Sequence, residues 1–351
     1  MTNERRKMDT EVLKIDRKNI DQNIIDKAAN YLREGKLVAI PTETVYGLGA
    51  NGLDEDACRN IFKTKNRPAD NPLILHISNI DMLYNLVESV NDDAKKLMKL
   101  WPGPLTMIFK KSDIIPDVVT AKGDTVAVRF PVDEIALAII EKAGVPIAAP
   151  SANISGRPSP TNADDCYYDL NGKIPLIVDG GSCNIGIEST VIDMSEDIPT
   201  ILRPGFYTLE IIREIIPEVR LDDALVDDNK IPKSPGQKYK HYAPKARMQV
   251  YVGCGAADFI YKKARAYSSS NLHVGVLVFG EDMERFKDFD RISLGDRDDL
   301  SQMSHVLFTA LRKMDKLGVD IILAEGVMDN NLGKSIMNRM KKSAAGNIEY
   351  L

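Results

Sequence analysis

Short apolar runs that suit buried strands alternate with helical patterns along this chain, and this alternation restricts the fold to the α/β class. Over residues 23–34 the apolar positions recur at helical spacing, and Gly35 follows as a helix-ending residue. The run LVAIP then predicts a strand, and Asp54 is placed to cap a second helix that ends near Lys63. Strand-like runs PLILHI, TVAVRF and PIAAP follow, and the alternation continues to about Leu221.

The chain has 351 residues, which exceeds one typical core and favours two domains. Residues 222–247 are polar, contain prolines and lack apolar periodicity, so they are predicted to form an extended linker. The apolar runs MQVYV, VGVLVF and DIILAE come after it, with helical stretches between them. We therefore expect a first domain over 14–221, a linker over 222–247 and a smaller, second α/β domain over 248–351.

The charge balance limits the partners of the chain. The formal net charge is −5, which argues against whole-surface attraction to nucleic acid or anionic membrane, so any polyanion site is a local pocket. The four cysteines are scattered without a CxxC pair, which argues against a zinc site or disulfide framework and fits a reducing compartment. Since the start lacks an apolar leader and no run is long enough to span a bilayer, we expect a cytoplasmic protein that does not associate with membranes.

Two segments resemble nucleotide-binding signatures without matching them. GLGANG has the G-x-G-x-x-G spacing, but TETVY separates it from the preceding strand, so a tight irregular turn is the better interpretation. GVMDNNLGKS has six residues between Gly326 and Gly333 where a Walker A loop has four, so the phosphate-binding loop would not form.

The segment KTKNRPADNP is a basic, proline-containing connection between a predicted helix and a predicted strand. Lys65 and Arg67 are two positions apart, and Pro68 is expected to hold them outside the helix, so both can face one anion. Asn71 adds an amide. The alternative is a solvated connection, which is the usual explanation for a K-x-R pair in isolation.

Arg129 is the strongest single indication of a binding site. It lies within the apolar run TVAVRFP, where an unpaired charge is costly. Strand periodicity places Thr125 on the same face. Arg129 can therefore pair with an anionic ligand or with an internal Asp or Glu, and the sequence leaves both explanations open.

Polar loops follow several of the predicted strands, where α/β sheets place their ligands. Each polar residue also has a structural explanation as a turn former or hydrogen-bonding partner. Together they predict a pocket with several cations and hydroxyl groups but without an evident covalent nucleophile, which acts by positioning and charge stabilisation. These residues are His76, Ser151, Asn153, Ser159, Ser189 and Arg203.

Eight motifs occur in the order found in the Sua5/YrdC family of threonylcarbamoyl-AMP synthases, and the chain resembles this family over about residues 14–247. The region from about 248 to 351 is similar to the smaller domain that distinguishes the long Sua5 form from the short YrdC form. The motifs are PTETVYGLGA, FKTKNRPADNPLILHI, WPGPLT, VAVRFP, APSANISGRPSPT, GIESTVID, ILRPG and SPGQKYKHYAP.

The resemblance implies a YrdC-like twisted, mixed α/β domain joined to a Rossmann-like C-terminal domain. It implies synthesis of threonylcarbamoyl-AMP and pyrophosphate from L-threonine, bicarbonate and ATP, with Mg²⁺ as the cofactor. The product supplies N6-threonylcarbamoyladenosine at tRNA position 37, and separate proteins perform the transfer. Transient contact with tRNA, and a choice between monomer and weak dimer, stay open.

The resemblance also implies residue roles. Lys65 and Arg67 correspond to the phosphate-binding, catalytic pair, and Arg129 to the residue that pairs with the threonine carboxylate. His76 is in addition a candidate base, and the linker segment 238–242 a candidate lid. The threonine-binding positions are Thr44, His76, Arg129, Ala149 and Ser189; the ATP-binding positions are Lys65, Arg67, Asn71, Thr125, Ser151, Asn153, Ser159, Arg203 and Tyr242.

Two other functions fit parts of the sequence. An RNA-binding module of the translation apparatus is one, although the overall acidity and the lack of aromatics among the basic stretches argue against it. A carbamoyl-transfer enzyme of the hydrogenase-maturation type is the other, although the cysteine spacing supplies none of the zinc-finger-like segments of that type.

Overall fold

The computed structural model describes residues 9–225 and 241–351, which form two α/β domains. The first domain contains strands β1 (Glu11–Lys14), β2 (Val38–Ile40), β3 (Gly47–Asn51), β4 (Ile74–His76), β5 (Leu105–Lys110), β6 (Thr125–Arg129), β7 (Ile147–Ala148), β8 (Leu176–Asp179), β9 (Thr190–Asp193), β10 (Thr200–Arg203) and β11 (Arg220–Leu221). Its helices are α1 (Gln22–Arg33), α2 (Glu55–Lys65), α3 (Ile80–Leu86), α4 (Asp92–Leu97), α5 (Asp117–Thr120), α6 (Glu134–Ala143), α7 (Ala163–Leu170) and α8 (Leu209–Ile215). Within the described ranges, no helix has the length and apolar character that crossing a bilayer requires.

The strands of the first domain join in one mixed sheet, in the order β1-β8-β2-β3-β7-β4-β6-β5-β9-β10-β11. β4 pairs with β6 in parallel, while β5 pairs with β6 and β7 pairs with β4 in antiparallel register. The predicted mixed α/β domain is confirmed. The ends of β4 and β6 thereby lie close to the start of β9, although the three strands are far apart in sequence.

The second domain has strands β12 (Arg247–Val252), β13 (Val274–Val278), β14 (Asp290–Ser293), β15 (Ile321–Glu325) and β16 (Ile348–Tyr350). They form a sheet in the order β14-β13-β15-β12-β16, in which β12 pairs in parallel with β15 and β16, and β13 with β14 and β15. The helices are α9 (Ala256–Ser269), α10 (Leu300–Leu317) and α11 (Asn331–Ser343). The predicted second α/β domain is confirmed, and β14 and β16 are additions to the three predicted strands.

Local capping explains the predicted helices. The Asp21 carboxylate accepts a hydrogen bond from the Asn23 amide and caps α1, and Gly35 ends this helix in the left-handed region at φ 73°. The Asp54 carboxylate accepts from the amides of Asp56 and Ala57 and caps α2. These interactions are local, which is why they could be predicted from sequence.

Two local predictions are wrong. GLGANG is not a tight turn, because Gly47–Asn51 is strand β3, which pairs with β2 and β7. Helix α2 continues past Lys63 to Lys65, so Lys65 is helical, and Asn66 ends the helix with φ 51°. Pro68 therefore does not hold Lys65 outside the helix, because the helix includes Lys65 and ends at the left-handed residue Asn66, two positions before the proline.

The two domains contact each other directly. Val45 and Ile187 of the first domain belong to the same buried apolar cluster as Leu307 and Phe308 of α10. Lys316 Nζ is 2.8 Å from Asp165 Oδ1 across the interface. Most of the predicted linker, 222–247, and of the candidate lid, 238–242, lies outside the described residues, and the domain limits from the sequence stay predictions.

Candidate active site

The sheet brings together polar residues that are distant in sequence. His76 ends β4 and pairs in register with Arg129 at the end of β6, while Thr106 of β5 lies opposite Arg129 on the other side. Ser189 directly precedes β9, and its Oγ is 2.8 Å from Thr106 Oγ1. Because β4 and β6 are parallel, their carboxyl ends meet at one edge of the sheet, where α/β proteins bind ligands.

A cavity lies at this edge, and it is lined by residues of the first domain together with His241 and Tyr242 of the predicted linker. Nine predicted site residues line it: Thr44, Arg67, His76, Arg129, Ala149, Ser151, Ser189, Arg203 and Tyr242. The other lining residues are Val45, Pro72, Ile74, Pro150, Glu188 and His241. The structure therefore brings together most of the residues singled out in the sequence.

Arg129 has the internal partner that the sequence left open, and it also faces the cavity. Its Nη2 lies 2.7 Å from Glu43 Oε1, and both side chains are about 95% buried, being 5% exposed each. The geometry does not complete a hydrogen bond, because Arg129 Nε and Nη2 and both Glu43 carboxylate oxygens lack a hydrogen-bond partner. Glu43 therefore balances the charge of Arg129 while hydrogen-bonding capacity remains, as expected in a binding site.

Arg67 and Arg203 are the two other arginines that line the cavity. Arg67 Nε and Nη2 donate to the carbonyls of Asn71 and Pro72 at 3.2 and 3.0 Å, which fixes the guanidinium at the cavity wall. Arg203 Nε and Nη2 donate to Ser189 O and Oγ, both at 3.1 Å. Burial and then the charge of Arg203 lower the pKa of Arg67 to about 10. This mutual repulsion would be relieved by an anion between the two groups.

The two histidines at the cavity are neutral near pH 7. Burial, followed by the charge of Arg129, lowers the pKa of His76 to about 3, and its Nδ1 is 3.2 Å from the Ile74 carbonyl. Burial and the charge of Arg67 likewise lower the pKa of His241 to about 3. A neutral imidazole with so low a pKa is a poor proton acceptor, so His76 is better suited to hydrogen bonding than to general-base catalysis.

Lys65 does not line the cavity. Its Nζ donates to the carbonyls of Ser151 and Asn153, and the side chain is 1% exposed. Burial, followed by the charge of Arg67, lowers the pKa of Lys65. In this arrangement Lys65 holds the 151–153 loop, and the direct phosphate contact expected from the sequence stays a prediction.

Four more predicted ligands also lie outside the cavity lining. Ser159 Oγ donates to Glu188 Oε1 at 2.6 Å, and Asn153 Nδ2 donates to the carbonyls of Ile154 and Arg157, both at 2.9 Å. Thr125 begins β6 whereas Arg129 ends it, about 13 Å away at the usual strand rise. Asn71 is buried, and its carbonyl accepts the Arg67 bond.

Glu188 is a cavity residue that the sequence reasoning did not select. Burial would raise its pKa, but the charges of Arg339 and Arg203 outweigh this effect, so the pKa of Glu188 is lowered. It is the acidic member of a lining that contains three arginines. Its position in the quoted motif GIESTVID, directly before Ser189, was the available signal.

The fold and the cavity define the class: an α/β protein with a cavity lined by buried arginines at the edge of the sheet where parallel strands end. The family model Sua5_yciO_yrdC, described as "Telomere recombination", matches residues 30–205. A second model, "Threonylcarbamoyl-AMP synthase, C-terminal domain", matches residues 207–345. The chain belongs to the Sua5/YrdC family, in its two-domain form.

Similar proteins cover almost the whole chain. It is 48% identical to the threonylcarbamoyl-AMP synthase of Pyrococcus abyssi in an alignment of 335 residues that covers 93% of this chain and 96% of the relative. It is 45% identical to the Bacillus subtilis protein of the same name, over 92% of this chain and 94% of the relative. The crystal structure of P. abyssi Sua5 complexed with L-threonine superimposes with a TM-score of 0.92 at 45% identity, covering 97% of this chain and 99% of that one.

Proposed function

We propose that this chain is an L-threonylcarbamoyladenylate synthase that forms threonylcarbamoyl-AMP and pyrophosphate from L-threonine, bicarbonate and ATP. The observation that carries the proposal is the convergence of Arg67, Arg129 and Arg203 on one buried cavity, in which Glu188 is the single carboxylate among the described lining residues. An excess of buried positive charge favours ligands with several negative charges. The names of the similar proteins and the L-threonine complex of the P. abyssi relative agree with this chemistry.

The threonine would occupy the end of the cavity near Arg129. Arg129 is the partner we assign to its carboxylate, and Glu43 keeps the guanidinium in place. The remaining groups would determine the fit of the amino acid: the hydroxyls of Thr44 and Ser189 and the neutral imidazole of His76 can form hydrogen bonds, and Ala149 limits the space.

The ATP phosphates would lie between Arg67 and Arg203, whose charges repel each other without an anion. Ser151 lines the same region and can donate its hydroxyl, while Tyr242 closes the other side with its ring stacked on Phe308 at 5.0 Å. Lys65, held by two carbonyls, would act by shaping the 151–153 loop. Of the candidate lid, His241 and Tyr242 are described, and both line the cavity.

The reaction follows from holding three substrates in one place. The threonine amine attacks the bicarbonate carbon, a C–N bond forms and water leaves, which gives a carbamate. A carbamate oxygen then attacks the α-phosphorus of ATP, and pyrophosphate leaves. The arginines would stabilise the charge that develops on the phosphates, and orientation supplies much of the remaining rate. No covalent enzyme intermediate is needed.

Magnesium would enter with the nucleotide. In residues 9–225 and 241–351, no group of three or more His, Cys, Asp or Glu side chains is arranged to hold a metal ion. The cavity lining offers mainly guanidinium and hydroxyl groups, which are not the oxygen-rich ligand set that Mg²⁺ prefers. We therefore propose Mg²⁺ as part of the MgATP substrate, bound through phosphate oxygens and water.

The biological setting is part of the proposal. The product would pass in the cytoplasm to proteins that transfer the threonylcarbamoyl group to tRNA, with at most transient contact between this chain and tRNA. The alternative, an RNA-binding module without turnover, gains no support from an acidic chain whose arginines lie in a buried cavity.

Pyrophosphate release tests the proposal. The full chain should release pyrophosphate when ATP, L-threonine and bicarbonate are all present with Mg²⁺. Omission of any one substrate should reduce release to the background, because ATP supplies the pyrophosphate and the group that displaces it is built from threonine and bicarbonate. Release that persists without threonine or without bicarbonate would refute the synthase function, and tight, salt-sensitive tRNA binding without release would favour the alternative.

A further inference from the structure

Helix α11 of the second domain extends a charged side chain into the wall of the first domain's cavity. Arg339 is 0% exposed, although it belongs to a different domain from the groups it contacts. Its Nε is 3.2 Å from Glu188 Oε2, its Nη2 is 3.4 Å from the Glu188 carbonyl, and its Nη1 donates to the Pro204 carbonyl. One guanidinium therefore joins two separate segments of the first domain.

Both segments carry residues of the proposed site. Glu188 lines the cavity and precedes Ser189, while Pro204 follows Arg203. One helical turn before Arg339, Ser335 Oγ donates to the Gly205 carbonyl at 2.7 Å. Helix α11 thus holds the two segments, at Glu188 and at Pro204–Gly205, that lie next to the hydrogen bonds from Arg203 to Ser189.

The charges give this contact a specific consequence. Glu188 is buried, and its oxygens are bound by Arg339, by the Ser159 hydroxyl at 2.6 Å and by the Tyr242 hydroxyl. Arg203 donates to Ser189 rather than to Glu188. Without Arg339, the buried carboxylate would be left with the two other cations in its electrostatic environment, Arg203 and Lys342. Arg203 would then be drawn away from the ligand.

We propose that Arg339 is a positioning residue for the nucleotide site, which neutralises Glu188 from the second domain and thereby leaves Arg203 available for the phosphates. This inference rests on the proposed function, and it assigns the second domain a part in substrate binding. Arg339 is not itself a lining residue, so it acts through Glu188 and the 203–205 turn.

The test compares Arg339→Met, Glu188→Gln and the double variant in the full chain, by the ATP KM and kcat of pyrophosphate release at saturating threonine and bicarbonate. Arg339→Met should raise the ATP KM by roughly tenfold to a hundredfold, the scale expected when a binding group is misplaced. Adding Glu188→Gln should restore part of this loss, because it removes the carboxylate that competes for Arg203. Such rescue is not expected from lost domain packing.

Lys316→Met is the matched control, because Lys316 also crosses the interface, to Asp165, without reaching the cavity. We expect its ATP KM to stay within about twofold of the wild type, because this pair of a half-exposed lysine and a buried carboxylate is not part of the cavity lining. Arg339→Lys keeps a cation near Glu188 and should lose less than Arg339→Met, and it serves as the test if the methionine variant does not fold. An unchanged ATP KM in folded Arg339→Met or Arg339→Lys, or a double variant no better than Arg339→Met, would overturn the proposal.

Calorimetric titration with ATP alone separates this proposal from the proposed function. If the wild type binds ATP in this titration but releases no pyrophosphate in the assay with all three substrates, the synthase function fails, and the same variants still test Arg339 through the ATP Kd. If the wild type releases pyrophosphate and binding is equal in all variants, only the role of Arg339 fails.

Discussion

His76 lies at the end of β4 beside Arg129, and this environment determines its charge. Burial and the neighbouring guanidinium lower its pKa to about 3, below the value of about 6.5 for an unperturbed histidine. The neutral form is therefore the one compatible with the folded state. As the pH falls below about 6.5, the unfolded chain takes up a proton that folded His76 does not, so stability is lost towards pH 3.

We predict that His76→Asn reduces this acid sensitivity. Between pH 6 and pH 4 the free energy of unfolding of the variant should fall less steeply than that of the wild type, by up to about 1.4 kcal/mol per pH unit. Urea denaturation at several pH values measures this slope. Equal slopes for wild type and His76→Asn would contradict the low pKa.

The residue scale also shows the limit of sequence reasoning. The need of Arg129 for a partner follows from its apolar surroundings, but the identity of Glu43 depends on how β6 lies relative to the 43–45 segment. The charge of Lys65 predicts an anionic partner, which the resemblance implies to be a phosphate; the structure shows its Nζ donating to the carbonyls of Ser151 and Asn153, which no charge pattern could indicate. Charge patterns indicate that a group must be paired, whereas the partner is set by tertiary structure.

At the scale of elements, the loop 184–187 contacts helix α10 very closely. Gly186 has φ +83°, and a Cβ at this position would lie 2.4 Å from the Ser304 carbonyl oxygen and 2.5 Å from His305 Cα. Its amide donates to the Thr44 carbonyl at 3.1 Å, so the loop cannot move away without disturbing a cavity residue. Glycine is needed here for backbone conformation and for space.

Gly186→Ala should therefore destabilise the protein by about 2–5 kcal/mol, the combined cost of the left-handed backbone and of overpacking. Gly181→Ala is the matched control, because Gly181 has φ +80° and nothing within 4 Å of the added Cβ. This control should lose only about 1–2 kcal/mol. Urea denaturation compares the two variants, and equal losses would show that α10 yields to the methyl group.

Elements defined by local signals could be predicted, and those defined by pairing could not. The helix α1 has an N-terminal cap and a terminating glycine in its own sequence, and it was placed to within one residue at each end. The strand β3 has the sequence GLGAN, which has little intrinsic preference for a strand, and it forms because β2 and β7 lie on either side of it. The same dependence on neighbours explains why β14 and β16 were not predicted.

At the scale of the whole molecule, the apolar cluster that includes Ile187 and Phe308 extends across both domains. Buried arginines add to this contact: Arg312 Nε donates to the Pro158 carbonyl at 3.0 Å, and Arg339 binds Glu188. An interface with a shared apolar core couples the unfolding of the two domains.

We predict that differential scanning calorimetry of the full chain gives one cooperative transition. Ile187→Asp should separate it into two transitions or lower it strongly, because it places a charge in the shared cluster. Ile114→Asp, at a side chain that is 52% exposed, should leave the transition unchanged. Two transitions in the wild type, or an unchanged profile for Ile187→Asp, would show that the domains unfold independently.

The cavity with three guanidinium groups also has a consequence for laboratory practice. Arg67, Arg129 and Arg203 do not distinguish a substrate phosphate from any other compact anion of similar geometry. Sulfate, citrate or inorganic phosphate in a buffer would act as competitive inhibitors, and apparent affinities for ATP would depend on the buffer chosen. Assays in uncharged or zwitterionic buffers with chloride as the counterion would measure the affinity of the site itself.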